Sequence, residues 1–263
     1  MNTNILKKIK SLPPLPKSVM EIQRITSDPE GSIADLIKVV KEDPMLTANL
    51  LKAANSPLYG FSRQIKTIDQ AVSLFGMSTV KGFAVSSAVR STMKIDLSAY
   101  GVSENKFVSV SQLQNALVVN WYKRDRSKLD ILSTASFLLE IGAVIISSIL
   151  VTEGVAEEFK ERLLNEDRTA LEREYLDSDT LAVTAEIFNY WKFDEELVNA
   201  IKFASNLENA GEHIEYSAPL AVAYNAIDLL NPLTDENVKK GLEIAEKYNL
   251  NIEALNQALD VIK

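Results

Sequence analysis

The stretch from Ser133 to Val151 constrains this chain more than any other: Ser-Thr-Ala-Ser-Phe-Leu-Leu-Glu-Ile-Gly-Ala-Val-Ile-Ile-Ser-Ser-Ile-Leu-Val. It carries one charged residue, Glu140, and its apolar residues fall on every face of a helical wheel. A helix that is apolar all round is buried on all sides. The run therefore predicts the central helix of an all-α protein, wrapped by further helices. A membrane span needs about 18 or more consecutive apolar residues. Glu140 and the Ser147-Ser148 pair interrupt this run before that length. A carboxylate inside such a helix is costly unless it is paired or protonated. Glu140 thus marks a site or the remains of one.

Of the 263 residues, 46% are hydrophobic, enough for a sizeable core, and nine Gly and eight Pro suit long helices better than a turn-rich β protein. There is no Cys, which excludes disulfide and thiolate chemistry. The first ten residues contain no apolar segment of signal-peptide length, so a cytoplasmic location without membrane insertion is expected. The net charge of −8 is unevenly spread. Residues 1–93 hold 12 Lys and Arg against 7 Asp and Glu, and the remainder holds 16 against 29. The overall acidity argues against nucleic acid, whose binders present a basic face. The asymmetry has two readings: lobes of opposite sign pack on each other, or the basic lobe meets an acidic partner.

The periodicity predicts helices over 3–10, from about 17 to 27, from Ser32, and from Asp43-Pro44 to Asn55. Asp suits an N-cap, Pro the first helical position, and Asn a left-handed stop. A helix over 67–75 follows, capped by Thr67 or Ser62, and another to about Met93, capped by Ser78. Residues 95–103 are the expected boundary between an N-terminal lobe and a second lobe. Further helices are predicted at 104–123, 155–165, 168–176, 179–191 and 194–205, then at 216–230, 234–248 and 251–262. The C-terminal part, 206–263, is too short to bury much surface alone and is expected to cover the same core.

Five segments in order carry a family likeness: Leu12-Pro-Pro-Leu-Pro16; Asp43-Pro44-Met45-Leu46-Thr47; Leu50 through Asn55-Ser56-Pro57-Leu58-Tyr59-Gly60; Ile68-Asp69-Gln70-Ala71-Val72; and Leu74-Phe75-Gly76. Together they resemble the HDOD domain, the HD-related output domain of bacterial signalling proteins, over about 12–205. The resemblance implies an all-helical fold related to HD-type metal phosphohydrolases, with a lobe at about 1–95 and an HD-like lobe at about 104–205. Locally, the Pro segment sets an entry angle and Asp43 and Asn55 bound a helix. The functional alternative places Asn55, Ser56 and Tyr59 on a partner-binding loop.

In HD-type enzymes a His-Asp pair binds metal near the end of a Gly-Leu-Leu-His-Asp-Ile-Gly segment. Ser136-Phe137-Leu138-Leu139-Glu140-Ile141-Gly142 matches that segment, so Leu139 stands at the His position and Glu140 at the Asp position. The resemblance also places Asp179 and Thr180, and then Ala204 and Ser205, at later ligand positions. The chain has one His, His213, in a polar segment that reads as exposed. A dinuclear hydrolytic centre needs several ligands and an open position. One loop His and a buried Glu cannot supply that, and an Asp177/Asp179 pair reads as a solvated face or a cap. No phosphate-binding Gly motif or Ser-His-Asp arrangement is present.

The expectation is a non-catalytic regulatory protein with no metal and no cofactor, standing alone and acting through protein partners. The family context is motility, surface attachment and cyclic-dinucleotide circuits. The alternatives are a small-molecule or nucleotide sensor using the vestigial pocket, or a divergent phosphohydrolase.

Overall fold

The structure is a computed structural model that describes residues 2–61 and 63–263, with the side chains of Arg90, Thr92 and Arg126 excepted. Ser62, one of the two caps considered above, lies outside the described residues. Helices follow one another from end to end, and no strand occurs among the described residues. They are α1 (Thr3–Lys10), α2 (Lys17–Ser27), α3 (Ile33–Glu42), α4 (Pro44–Ala54), α5 (Ile68–Phe75) and α6 (Met77–Thr92). After a packed connection come α7 (Glu104–Trp121), α8 (Arg126–Ser136), α9 (Ile141–Thr152), α10 (Ala156–Arg162), α11 (Arg168–Leu176), α12 (Thr180–Tyr190) and α13 (Glu195–Lys202). The chain closes with α14 (Ile214–Ala226), α15 (Asp235–Lys247) and α16 (Ile252–Ile262).

Short polar side chains start most of these helices, because they satisfy backbone N–H groups that have no partner inside the helix. Ser32 accepts from Asp35 N, Asp43 from Leu46 N, and Thr67 from Gln70 N within a full capping box. Two local readings change. Ser78 lies inside α6, whose N-cap is Gly76 at φ 79°, and its hydroxyl donates to Asp130 instead. Asn55 ends α4 at φ −97°, outside the left-handed region, with its side-chain amide donating to Leu51 O.

The apolar run is buried as its composition requires. Over Ser127–Thr152, 89% of the most apolar window is covered by protein. One turn at 137–140 divides it into α8 and α9. Phe137, Leu138, Leu139 and Ile146 are each 2% exposed or less and belong to a hydrophobic cluster that reaches from Ile5 to Ile262. The 95–103 connection is part of that cluster: Leu97, Ala99, Tyr100 and Val102 are buried. Leu220, Leu255 and Leu259 bring α14 and α16 onto the same core.

Close helix approaches need a missing side chain. A Cβ on Gly82 of α6 would lie 2.8 Å from the Phe137 ring and 3.2 Å from Thr134 Cα on α8. A Cβ on Gly142 would collide with the Thr180 carbonyl oxygen and sit 2.8 Å from Thr184 N. Both neighbours are backbone, which yields poorly. Gly142→Ala is therefore expected to cost more than about 2 kcal/mol, read as a lowered urea midpoint at an unchanged slope. An unchanged midpoint would mean that α9 and α12 do not meet so closely.

Candidate functional site

The turn that breaks the apolar run also aims its one charge. Glu140 occupies the N-cap position of α9 at φ −94°, ψ 1°, and its side chain makes no capping bond. The carboxylate points into the protein, where Arg168 from the first turn of α11 meets it. Arg168 Nη1 lies 3.0 Å from Glu140 Oε2 and Nη2 lies 3.4 Å from Oε1. Gln114 of α7 donates through Nε2 to Glu140 Oε1 at 3.1 Å and to Ile227 O at 2.9 Å. All three side chains are buried.

The guanidinium has further neighbours. It lies over the Tyr224 ring, 4.6 Å from its centre. Its Nε is 3.7 Å from Asp228 Oδ2 and 3.9 Å from Glu172 Oε1. Glu172 in turn accepts from Tyr100 OH at 2.8 Å, Thr180 N at 2.6 Å and Thr180 Oγ1 at 2.7 Å. Three carboxylates thus surround one cation. Burial pushes the Glu140 carboxyl up to about 7; Arg168 opposes the rise and Asp228 adds to it. Burial also raises Glu172, again against Arg168. Burial works against the charge on Arg168, but Glu140 leads a set of neighbours that hold it well above its ordinary value.

The positions named from sequence separate. Leu139 is fully buried and only its carbonyl is engaged, accepting from Thr184 Oγ1 at 3.1 Å. Thr180 joins the Glu172 cluster. Asp179 faces away from it, capping Ala182 N and pairing with Arg173 at 2.7 Å. Ser205 meets the same arginine through its carbonyl, and Ala204 and Ser205 line a separate cavity of about 420 Å³. Asp177 sits at the left-handed end of α11. His213 is half-buried rather than exposed, stacked on Phe203 with ring centres 5.6 Å apart.

The proposed loop residues turn inward as well. The Asn55 amide donates to Ile65 O at 2.8 Å and accepts from Ile65 N at 2.9 Å, tying the two ends of the loop together. Ser56 caps the short turn Pro57–Tyr59. Tyr59 is buried, with its hydroxyl 3.0 Å from Asn115 Oδ1 and its ring edge-on to Phe75.

Arg168, Gln114, Glu172 and Asp228 were not singled out from the sequence. A signal for two of them existed. The buried positions of α11 are Arg168, Leu171, Glu172 and Leu176, the i, i+3, i+4, i+8 spacing of a core face. Opposite charges at the i and i+4 positions of that face announce a buried pair. Gln114 and Asp228 come from α7 and from beyond α14, and only the fold brings them near.

These groups do not fit a metal centre. The cation beside Glu140 is a side chain, and both carboxylate oxygens already have donors. No group of three His, Cys, Asp or Glu side chains suited to a metal ion occurs among the described residues.

The family model described as the HDOD domain matches residues 12–207. The chain is similar to the solved structure of a virulence factor from Campylobacter jejuni, 27% identical with a TM-score of 0.59, covering 100% of this chain and 97% of that one. A proposed phosphohydrolase from Shewanella amazonensis is 24% identical with a TM-score of 0.70, covering 98% and 94%. A proposed signal transduction protein from Marinobacter aquaeolei is 19% identical with a TM-score of 0.68, covering 98% of this chain and 62% of that one. An uncharacterized protein of Treponema pallidum is 31% identical over 74 residues, 28% of this chain and only 14% of that relative.

Two outcomes are expected of the cluster. Arg168→Met strands buried carboxylates and should cost about 3 to 5 kcal/mol, whereas Glu140→Leu with Arg168→Met should recover most of that loss. A double variant as unstable as the single one would show that the pair is not the unit. The folded value of Glu140, about 7, lies above its ordinary 4.5. The folded chain then holds the proton more tightly, so this contribution is present below 4.5 and lost as pH rises through 7. Between pH 5 and 8 the wild type should lose about 2 kcal/mol relative to Glu140→Gln. Parallel stability curves from urea unfolding would exclude it.

Proposed function

The chain belongs to the HDOD domain family, and from that premise we propose that it is a non-catalytic signalling protein that acts by binding other proteins. The observation that carries this reading is the Arg168–Glu140 pair. A phosphohydrolase needs a metal ion to polarise phosphate and to generate a nucleophile from water. Here the acidic residue at the HD position is neutralised by a guanidinium that cannot give up its proton and offers no open coordination position. Leu139, at the neighbouring position, supplies no ligand. The names of the solved relatives point in two directions, to phosphohydrolase and to signal transduction, and the site chemistry supports the second.

The nucleotide-sensor alternative has a space available to it. A cavity of about 400 Å³ lies outside the cluster, bounded by Arg168 and Lys240 but also by Glu166, Asp167, Asp228 and Glu236. Four carboxylates against two cations disfavour a phosphate-bearing ligand. The regulatory reading places the protein in the cytoplasm with protein partners and no nucleic acid.

The test is a Mn²⁺ titration by calorimetry together with a phosphodiester hydrolysis assay on the same metal-loaded sample. No saturable binding and no turnover are expected. One or two tightly held ions per chain with metal-dependent turnover would overturn the reading.

A further inference from the structure

A second surface lies apart from the buried cluster and does not depend on how that cluster is read. The loop after α4 spends Asn55, Ser56 and Tyr59 internally but presents Arg63 and Gln64 outward, with Phe61 half-buried against Phe75 at 5.4 Å between ring centres. With Gly60, Ile65 and Leu74 they bound a mainly apolar groove of about 610 Å³. Leu74 is 48% exposed. Val261 of α16, 40% exposed, continues the patch, its Cγ1 3.7 Å from where a Cβ on Gly60 would stand. Asp69 also lines the groove but is paired with Lys41 at 2.8 Å, which leaves the exposed Arg63 and, beside it, the exposed Lys66 to set the charge of the rim.

Among the ion pairs of the described residues, only Lys81–Asp194, at 3.2 Å, joins residues 1–93 to the rest. None of the ion pairs among the described residues engages Arg63 or Lys66, so the rim of the groove keeps their charge. The remainder carries a feature of matching form. Leu164, between α10 and α11, is 81% exposed, the most exposed large apolar side chain among the described residues. Around it, residues 157–167 hold Glu157, Glu158, Glu161, Glu166 and Asp167 against Lys160 and Arg162. Arg162 is itself held by Glu166 and Glu174, at 2.7 and 2.6 Å.

We propose that the groove beside α5 is a docking site for a second copy of this chain, whose acidic Leu164 loop it receives. An apolar knob in an acidic surround meets an apolar hole with a basic rim. The two halves lie on different parts of the molecule, so the contact is head-to-tail, and each added copy leaves a free half for the next unless the rotation closes a ring. One apolar anchor makes a small interface, so the association is weak and reversible. Its rim charges make it salt-sensitive.

Sedimentation equilibrium of the full chain tests this. The weight-average mass should rise with concentration past that of two chains, and fall back in about 0.5 M salt. Leu164→Asp and Leu74→Asp, both at exposed positions and checked for fold by circular dichroism, should each be monomeric. Their equimolar mixture should form a one-to-one complex, because each variant keeps one intact half. Wild type that stays monomeric up to about 1 mM would overturn the proposal. So would a dimer that survives either substitution, or a mixture that stays monomeric while the wild type associates.

Discussion

A guanidinium held inside an all-helical core is the contact on which α7, α9, α11 and α14 converge. Taking Arg168 and Glu140 out of water costs several kcal/mol per ion, and their attraction offsets this only when geometry and extra hydrogen bonds are good. The fold meets those conditions by converging several elements on one point. Gln114 comes from α7, Glu140 from the start of α9, Arg168 from α11 and Tyr224 from α14. Glu172, one turn beyond Arg168, extends the set to Tyr100 in the connection and to the first residue of α12. An apolar core tolerates small slippage of one helix past another, whereas this cluster leaves unpaired charge if any member moves. That rigidity follows from desolvation and requires no catalytic role.

The break in the apolar run belongs to the same argument. A helix continued through 137–140 would carry Glu140 at a different angle and leave α9 without its separate start. Gly142 then lets α12 approach to backbone contact, which brings the Thr184 hydroxyl to the Gly142 N–H at 2.8 Å. The pairing of α9 with α12 and the orientation of Glu140 are thus set within three residues. Signals of this kind are local in sequence, but their consequence depends on what stands opposite.

That distinction accounts for what could be read in advance. Helices and their caps at Ser32, Asp43 and Thr67 follow from nearest neighbours, and the burial of 133–151 follows from composition alone. Ser78 was mistaken for a cap because Gly76, at positive φ, starts α6 from backbone conformation without a side-chain bond. That position 139 holds a leucine, which offers no ligand, was visible in the sequence. The partner of Glu140 was not, since Arg168 lies 28 residues beyond it and meets it only through the packing of α11. Asn55 and Tyr59 look like recognition residues in a list of polar and aromatic loop positions. Their side chains instead hold the loop in shape, and the neighbours Arg63 and Gln64 take the outward places.

Where the buried charged groups satisfy one another, the surface is what remains to meet other molecules. Charge there is segregated along the sequence: a basic first lobe and an acidic remainder, with one described ion pair between them. The pairs within each part, such as Lys41–Asp69 and Arg162–Glu174, are local. Charge segregated in this way gives different parts of the surface potentials of opposite sign. Such potentials orient any charged partner on approach and raise its encounter rate. In this fold, the interior fixes the shape and the uncompensated surface selects what the shape meets.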